Sequence, residues 1–243
     1  MTRRGRLLAG TSGFAYPGWE PRFYAVGTPR DSLLRAYAER LPTVELNNTF
    51  YRQPRADNVA SWVASVPASF RFVVKAQRGG AVRAFGPAAT QTLAWLTVPY
   101  RLFGERLGSV LFRVPGSLAR DDARLATLLA AWPAELPLTV ELQHPSWQAD
   151  EVFALLRAHG AALCATDLDD APAPDLRLTG GHVYLRLRRA TYTEAELAAW
   201  ADRLAPFLDA GNDCYVFLRH DADGTSALRA LALLERLGGD RQA

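Results

Sequence analysis

Lys75 is the only lysine among the 28 lysine and arginine residues of this chain. Arginine does not titrate near neutrality and cannot fit as a compact ammonium, so a lysine kept where arginine is otherwise always used points to one of those properties. Chance survival in a chain that also lacks isoleucine, the mark of a GC-rich genome, is the alternative. Glu45 and Glu141 can act as a general acid and base if their surroundings push their pKa values apart; equally, each can be an arginine partner. His144, which precedes Pro145, can transfer protons or bind a metal, or simply bond to backbone. Arg113 and Arg186 suit a clamp on negative charge. Asn47, Tyr51, Gln143, Trp147, Asp167, Arg188, Arg219 and His220 complete the candidate substrate-binding set.

These residues fall at the ends of short β-rich runs separated by helical segments, the alternation expected of a parallel sheet. The strands read as Leu7–Ser12, Thr43–Asn48, Arg71–Gln77, Ser109–Val114, Leu138–His144, Ala162–Asp167, His182–Arg188 and Cys214–His220. Eight strands in 243 residues predict one α/β domain over residues 1–243, a TIM-barrel-like (β/α)8 fold. Helices are signalled by Thr28-Pro29 with the stripe Leu33, Leu34, Tyr37 and Leu41, by Asp150-Glu151 through His159-Gly160, by Glu194 to Leu208, and by Ser226 to Leu237. Between Asp169 and Thr179 the run Ala171-Pro172-Ala173-Pro174 cannot continue a helix, so the barrel helix there is expected to be missing or irregular.

Strand alternation sorts the side chains. Val44 and Leu46 should face helices, which turns Glu45 and Asn47 inward; the same parity sends Lys75, Arg113, Glu141, Gln143, Tyr184, Arg186 and Arg188 to the interior. His144, Asp167, Arg219, His220 and Asp221 fall at strand ends. Charges gathered inside a barrel must pair, so an ion-pair network capping the core is one reading. Their position at the C-terminal strand ends, where barrel enzymes carry their active sites, is the reason to favour a functional one. The aromatics Phe14, Tyr16, Trp19, Phe23, Tyr24, Phe50 and Tyr51 lie on the adjoining loops, suited to core or lid packing or to stacking a sugar or base.

Composition narrows the function. A net charge of +3 suits an anionic ligand and is far weaker than a nucleic-acid footprint. Arg4 and Arg6 read as solvated terminal residues. No apolar run reaches the roughly 20 residues of a membrane span, and Met1-Thr2 leads towards a strand instead of a signal-peptide core, so a cytoplasmic location and no membrane partner are expected. Cys164 and Cys214 lie in apolar stretches and read as packing residues. With His159 at a helix end and His182 at a strand start, only His144 and His220 remain as imidazole ligands, which argues against a histidine-rich zinc site, and no metal is assigned. The His220-Asp221 pair reads as a turn with Asp223-Gly224. The Thr11-Ser12-Gly13 amides are a weak anion-binding signal. No nucleotide-binding loop, serine elbow or zinc-finger spacing occurs, and the cofactor is left unknown.

Several segments match a known pattern: Gly10-Thr11-Ser12-Gly13-Phe14 with Trp19 and Phe23-Tyr24; Val44-Glu45-Leu46-Asn47-Asn48-Thr49-Phe50-Tyr51; Phe70-Arg71-Phe72-Val73-Val74-Lys75; Leu111-Phe112 with Pro115; Glu141 with His144-Pro145-Ser146-Trp147; then Asp167, Tyr184-Leu185-Arg186-Leu187, Tyr192, and Asp221 with Gly224. They resemble the YecE-like family, domain of unknown function 72, nearly end to end. The resemblance implies a TIM-barrel-like fold and no particular activity. The chain departs from the family pattern at Arg113, where glutamine is expected, at Gln143, where arginine is expected, at Arg219-His220, where asparagines are common, and in lacking a Thr-His after the lysine strand. Exchange of arginine and glutamine on neighbouring strands suggests one pair in which Arg113 meets Glu141 or a ligand and Gln143 supplies a partner hydrogen bond.

The sequence therefore leads to an enzyme acting by acid–base chemistry on a small anionic or polyhydroxylated substrate, through Glu45, Lys75, Glu141 and His144. Two alternatives stand beside it: a nucleic-acid binder or nuclease, and a non-catalytic ligand sensor.

Overall fold

The computed structural model of the protein describes residues 3–238, so Met1-Thr2 and the last five residues of the expected domain lie outside it. Its strands are β1 (Leu7–Ser12), β2 (Thr43–Leu46), β3 (Arg71–Lys75), β4 (Leu107–Val114), β5 (Leu138–Leu142), β6 (Ala162–Asp167), β7 (His182–Leu187) and β8 (Asp213–Leu218). All neighbours pair in parallel and β8 returns to β1, closing the barrel in sequence order. The described helices are α1 (Leu33–Ala38), α2 (Asn48–Tyr51), α3 (Ala56–Ala64), α4 (Arg78–Ala84), α5 (Ala89–Thr97), α6 (Asp122–Ala131), α7 (Asp150–Ala158), α8 (Glu194–Asp209) and α9 (Thr225–Leu237). The α/β barrel read from the sequence is the fold observed.

Several strands end one or two residues before the sequence suggests. Asn48 begins α2 rather than ending β2, and His144 begins a 3-10 turn over Pro145–Trp147. α1 starts at Leu33, five residues after Thr28, yet Leu33, Leu34, Tyr37 and Leu41 are buried as its apolar stripe requires. The boundaries of α7 and α8 match the caps: Thr193 and Glu196 form a reciprocal capping box at the start of α8, satisfying two amides that the helix leaves unpaired. α9 ends at Gly238, whose φ of +67° suits glycine.

No helix joins β6 to β7. Pro172 and Pro174 remove two backbone donors, and coverage of the barrel wall passes to Leu176 and Leu178, which pack on the main core. Thr179 ties the segment down by accepting from the Leu163 amide at 2.8 Å and donating to the Ala161 carbonyl at 2.8 Å.

The molecule has two apolar layers. The larger lies between strands and helices and holds Val44, Leu46, Phe72, Val74, Phe112 and Val140. The smaller fills the barrel with Leu8, Val73, Leu111, Cys164, Tyr184, Tyr215 and Phe217. Both cysteines are buried and free, as packing residues should be. At the N-terminal end Arg6 Nη2 meets Asp213 at 2.6 Å and Arg4 meets Asp209 at 2.8 Å. These arginines thus tether the chain start to the barrel instead of being merely solvated. None of the described helices is long and apolar enough to cross a membrane.

A cationic candidate site at the mouth of the barrel

Parity carries the polar residues to one end of the barrel. The register pairs Ser12 with Glu45, Arg113 with Glu141 and Thr166 with Arg186, each directly above the apolar plug. Tyr184 belongs to that plug and reaches up, its hydroxyl donating to Glu45 Oε2 at 2.9 Å.

Arg186 is the centre of the arrangement. Its Nη1 donates to Glu141 Oε1 at 2.7 Å and its Nη2 to Glu45 Oε1 at 2.9 Å, while its Nε has no hydrogen-bond partner. Ser12 Oγ also donates to Glu45 Oε1 at 2.8 Å, Thr166 Oγ1 donates to Glu141 Oε1 at 3.1 Å, and Arg113 Nε donates to Glu141 Oε2. Both carboxylates therefore have donors on both oxygens.

Burial alone would raise both carboxyl pKa values, but the nearby cations outweigh it. Arg186, Lys75 and Arg188 hold Glu45 well below the usual carboxylate range, and Arg186 with Arg113 lowers Glu141. The acid–base pair expected from the sequence needs its two members pushed apart. Sharing Arg186 pushes both the same way, so both stay anionic and neither is suited to deliver a proton.

Lys75 differs. It is 7% exposed, donates from Nζ to Asn47 Oδ1 at 3.1 Å, and stands 3.7 Å from Glu45 Oε1 and 5.1 Å from the centre of the Phe50 ring. Burial lowers its pKa to about 8, with Arg186 and Arg113 pushing the same way and Glu45 and Glu141 opposing. Asn47 is held for this contact by donating to the Ser12 carbonyl at 2.8 Å. Arg113 also lies over Phe50, 5.3 Å from its centre, so α2 presents one aromatic ring to two cations.

Arg188 is half-buried and donates to Ser12 Oγ at 3.3 Å. Arg219 and His220 are exposed at the rim, where the His220 ring stacks on Tyr16 with centres 4.9 Å apart. Burial lowers the His220 pKa first, and Arg188, Arg219 and Lys75 lower it further, a sign of the positive field there. The mouth thus sets Lys75, Arg113, Arg186 and Arg188 against Glu45 and Glu141, an excess of two positive charges.

Other expected site residues take no part in this ionic network. Asp167 faces away from the barrel interior because alternation continues to the last residue of β6, with Thr166 inward. There it accepts from Arg189, from the Tyr192 hydroxyl at 2.9 Å and from Trp200 Nε1 at 3.3 Å. His144 caps the 3-10 turn by accepting from the Ser146 amide at 3.2 Å, and Trp147 is fully buried, with Nε1 donating to the Leu118 carbonyl. Tyr51 is exposed, with its ring edge-on to Phe50 at 5.4 Å between centres. Gln143 is exposed and its side chain makes no hydrogen bond to Arg113. Of the proposed arginine–glutamine pair, only the Arg113–Glu141 contact is present.

The Thr11-Ser12-Gly13 amides are not an anion nest, since Thr11 donates to the Tyr37 hydroxyl and Gly13 to the Glu45 carbonyl. Asp221 closes its turn by accepting from the Gly224 amide at 2.9 Å, as read from the sequence. No cluster of three or more metal-ligating residues occurs among the described residues. Thr166 is not among the residues expected from the sequence, and Ser12 enters there only through its backbone amide and Phe50 only as one of the loop aromatics. Counting inward positions from Gly10 and Cys164 would have found Ser12 and Thr166, whereas Phe50, on a helix, leaves no strand signal.

A closed parallel barrel with an ionic ring at its C-terminal strand ends defines a TIM-barrel protein with a candidate site in its mouth. The chain belongs to the family described as protein of unknown function DUF72, whose model matches residues 8–243. It is 24% identical over 263 residues to the UPF0759 protein YunF of Bacillus subtilis (strain 168), covering 90% of this chain and 92% of the relative. Among solved structures it is similar to a DUF72 family protein from Thermotoga maritima MSB8, with 24% identity, a TM-score of 0.83 and coverage of 96% and 99% of the two chains. One from Enterococcus faecalis V583 has 20% identity, a TM-score of 0.74 and coverage of 99% and 100%. The structure of SacUVDE shares the fold more distantly, with 11% identity, a TM-score of 0.51 and coverage of 99% and 100%.

Proposed function

We propose that the mouth binds a small anionic substrate, held by Arg113, Arg188 and Lys75, and that Lys75 is the group that moves a proton during its conversion. The observation that carries this reading is the excess of cations. Glu45 is shared by Arg186 and, at 3.7 Å, by Lys75, and Glu141 by Arg186 and Arg113, which leaves two carboxylates for four cations and Arg188 without an ion pair of its own. Partly exposed guanidinium groups around an ammonium of pKa about 8 suit a phosphate or carboxylate, and the ammonium changes charge near working pH. Glu45 and Glu141 then serve to fix Arg186 and set the field, and acid–base work falls to one residue instead of two.

Calorimetric titration of inorganic phosphate and glycerol phosphate is the test. Arg188→Gln and Arg113→Gln should each weaken binding by roughly 10–100-fold, the worth of one charge-assisted hydrogen bond, with thermal stability little changed for Arg188→Gln. Equal affinity in wild type and both variants would reject the site. Tight oligonucleotide binding that collapses steeply with salt, with no binding of small anions, would instead favour a nucleic-acid partner.

A further inference from the structure

The chain has a single amine-bearing side chain, and the fold has placed it where an amine can react. Lys75 is the last residue of β3, so its side chain enters the mouth rather than the packed barrel. Of the three protons an ammonium offers, one is donated to Asn47 at 3.1 Å; Glu45 lies at 3.7 Å, beyond a normal hydrogen bond. A neutral amine in the same place keeps the Asn47 bond and has its lone pair free. Phe50 covers one side of the nitrogen at 5.1 Å, and Arg113 shares that ring.

We propose that Lys75 is a nucleophile that condenses reversibly with the carbonyl group of a small aldehyde or keto acid bearing a phosphate or carboxylate. This rests on the anion-binding reading above and names the substrate class for the same site. The Lys75 nitrogen forms a bond to the carbonyl carbon as the carbonyl π pair moves to oxygen. That oxygen takes up a proton as the nitrogen loses one, giving a carbinolamine. The C–O bond then breaks, the oxygen leaves as water with a second proton taken from solvent, and a protonated imine remains. Nothing is oxidised or reduced. Arg113 and Arg188 hold the anionic group, and Glu45 balances the positive imine as it balanced the ammonium.

The surroundings keep the amine available. Burial, with Arg186 from β7 and Arg113 from β4, works against the ammonium, while Glu45 from β2 and Glu141 from β5 restrain the effect. No arginine can take this role, because a guanidinium stays protonated.

The test uses glyoxylate and glycolaldehyde phosphate with cyanoborohydride, which reduces an imine to a stable secondary amine. Intact mass and peptide mapping then locate the adduct. Lys75 should be labelled at least about tenfold faster than free Nα-acetyl-lysine in the same tube, faster above pH 8 than below it. Inorganic phosphate should slow the labelling, Arg188→Gln should do likewise, and Lys75→Arg should fold and remain unlabelled. If phosphate binds and the arginine variants weaken it, yet Lys75 reacts no faster than Nα-acetyl-lysine with either probe, the nucleophile is refuted while anion binding stands. Fast labelling indifferent to phosphate and to Arg188→Gln would overturn the proposal as stated, because no anion would then steer the carbonyl.

Discussion

Arg186 stands between two buried carboxylates, and its removal would leave both without their main partner. Breaking a buried ionic network by deleting one member generally costs about 3–5 kcal/mol. Arg186→Leu should therefore lose about that much stability in urea denaturation, and adding Glu45→Gln and Glu141→Gln should restore part of it; a loss below about 1 kcal/mol would mean the carboxylates are hydrated after all. A second residue-scale prediction concerns His182, at the barrel floor, where Nε2 lies 2.8 Å from Thr139 Oγ1, itself 2.8 Å from Ser109 Oγ. Burial lowers its pKa from 6.5 to about 4, with Asp213 opposing. Between those values the unfolded chain binds the proton and the folded chain does not, so stability falls as pH falls through that window, by at most about 3 kcal/mol. His182→Gln should flatten the dependence of unfolding free energy on pH between 4 and 6.5. An unchanged slope would show that other groups set it. At this scale the sequence made the identities of Glu45, Lys75, Arg113, Glu141 and Arg186 legible, because inward parity exposes a charge that has no place in a core. Their roles were not legible, since two carboxylates sharing one guanidinium is a contact across β2, β5 and β7.

Strands supplied most of what could be read of the elements. A period of two over residues such as Val44, Glu45 and Leu46 fixes which face is buried, and the eight runs sufficed to predict closure. Boundaries were less legible because Asn47-Asn48 and Gln143-His144 continue the alternation past the strand ends, Asn48 into α2 and His144 into the 3-10 turn. Asp167 shows the opposite error: parity still governs a strand's final residue, and β6 pairs with β7 through Asp167 and Leu187. Its three partners, Arg189, Tyr192 and Trp200, pin the segment after β7 onto α8. Asp167→Asn should lower stability by about 2–3 kcal/mol and speed amide exchange over residues 188–193, with a smaller effect on anion affinity than Arg188→Gln. Equal loss of affinity in the two variants would mean that the β7 loop is part of the binding machinery.

Across the whole molecule the net charge of +3 is modest and says little about a ligand. The fold changes that by sorting charge. Apolar side chains fill the barrel, Arg6 and Asp213 pair at one end, and the unmatched cations collect at the other. Such sorting is invisible in composition and follows only from closure, which brings Ser12, Lys75 and Arg188 from distant parts of the chain to one opening. The barrel is shared with the DUF72 relatives of Thermotoga maritima and Enterococcus faecalis, and the arginine at position 113 gives this chain's mouth a cation over Phe50. The central claim is that this opening receives an anion. The most direct measurement is the anomalous difference map of crystals soaked in selenate or tungstate. The account predicts a peak in the barrel mouth whose oxyanion oxygens lie within about 2.7–3.2 Å of Arg188 and Arg113 or Lys75 nitrogens, lost in Arg188→Gln crystals soaked alike. Peaks confined to surface arginines, with none in the mouth, would contradict it.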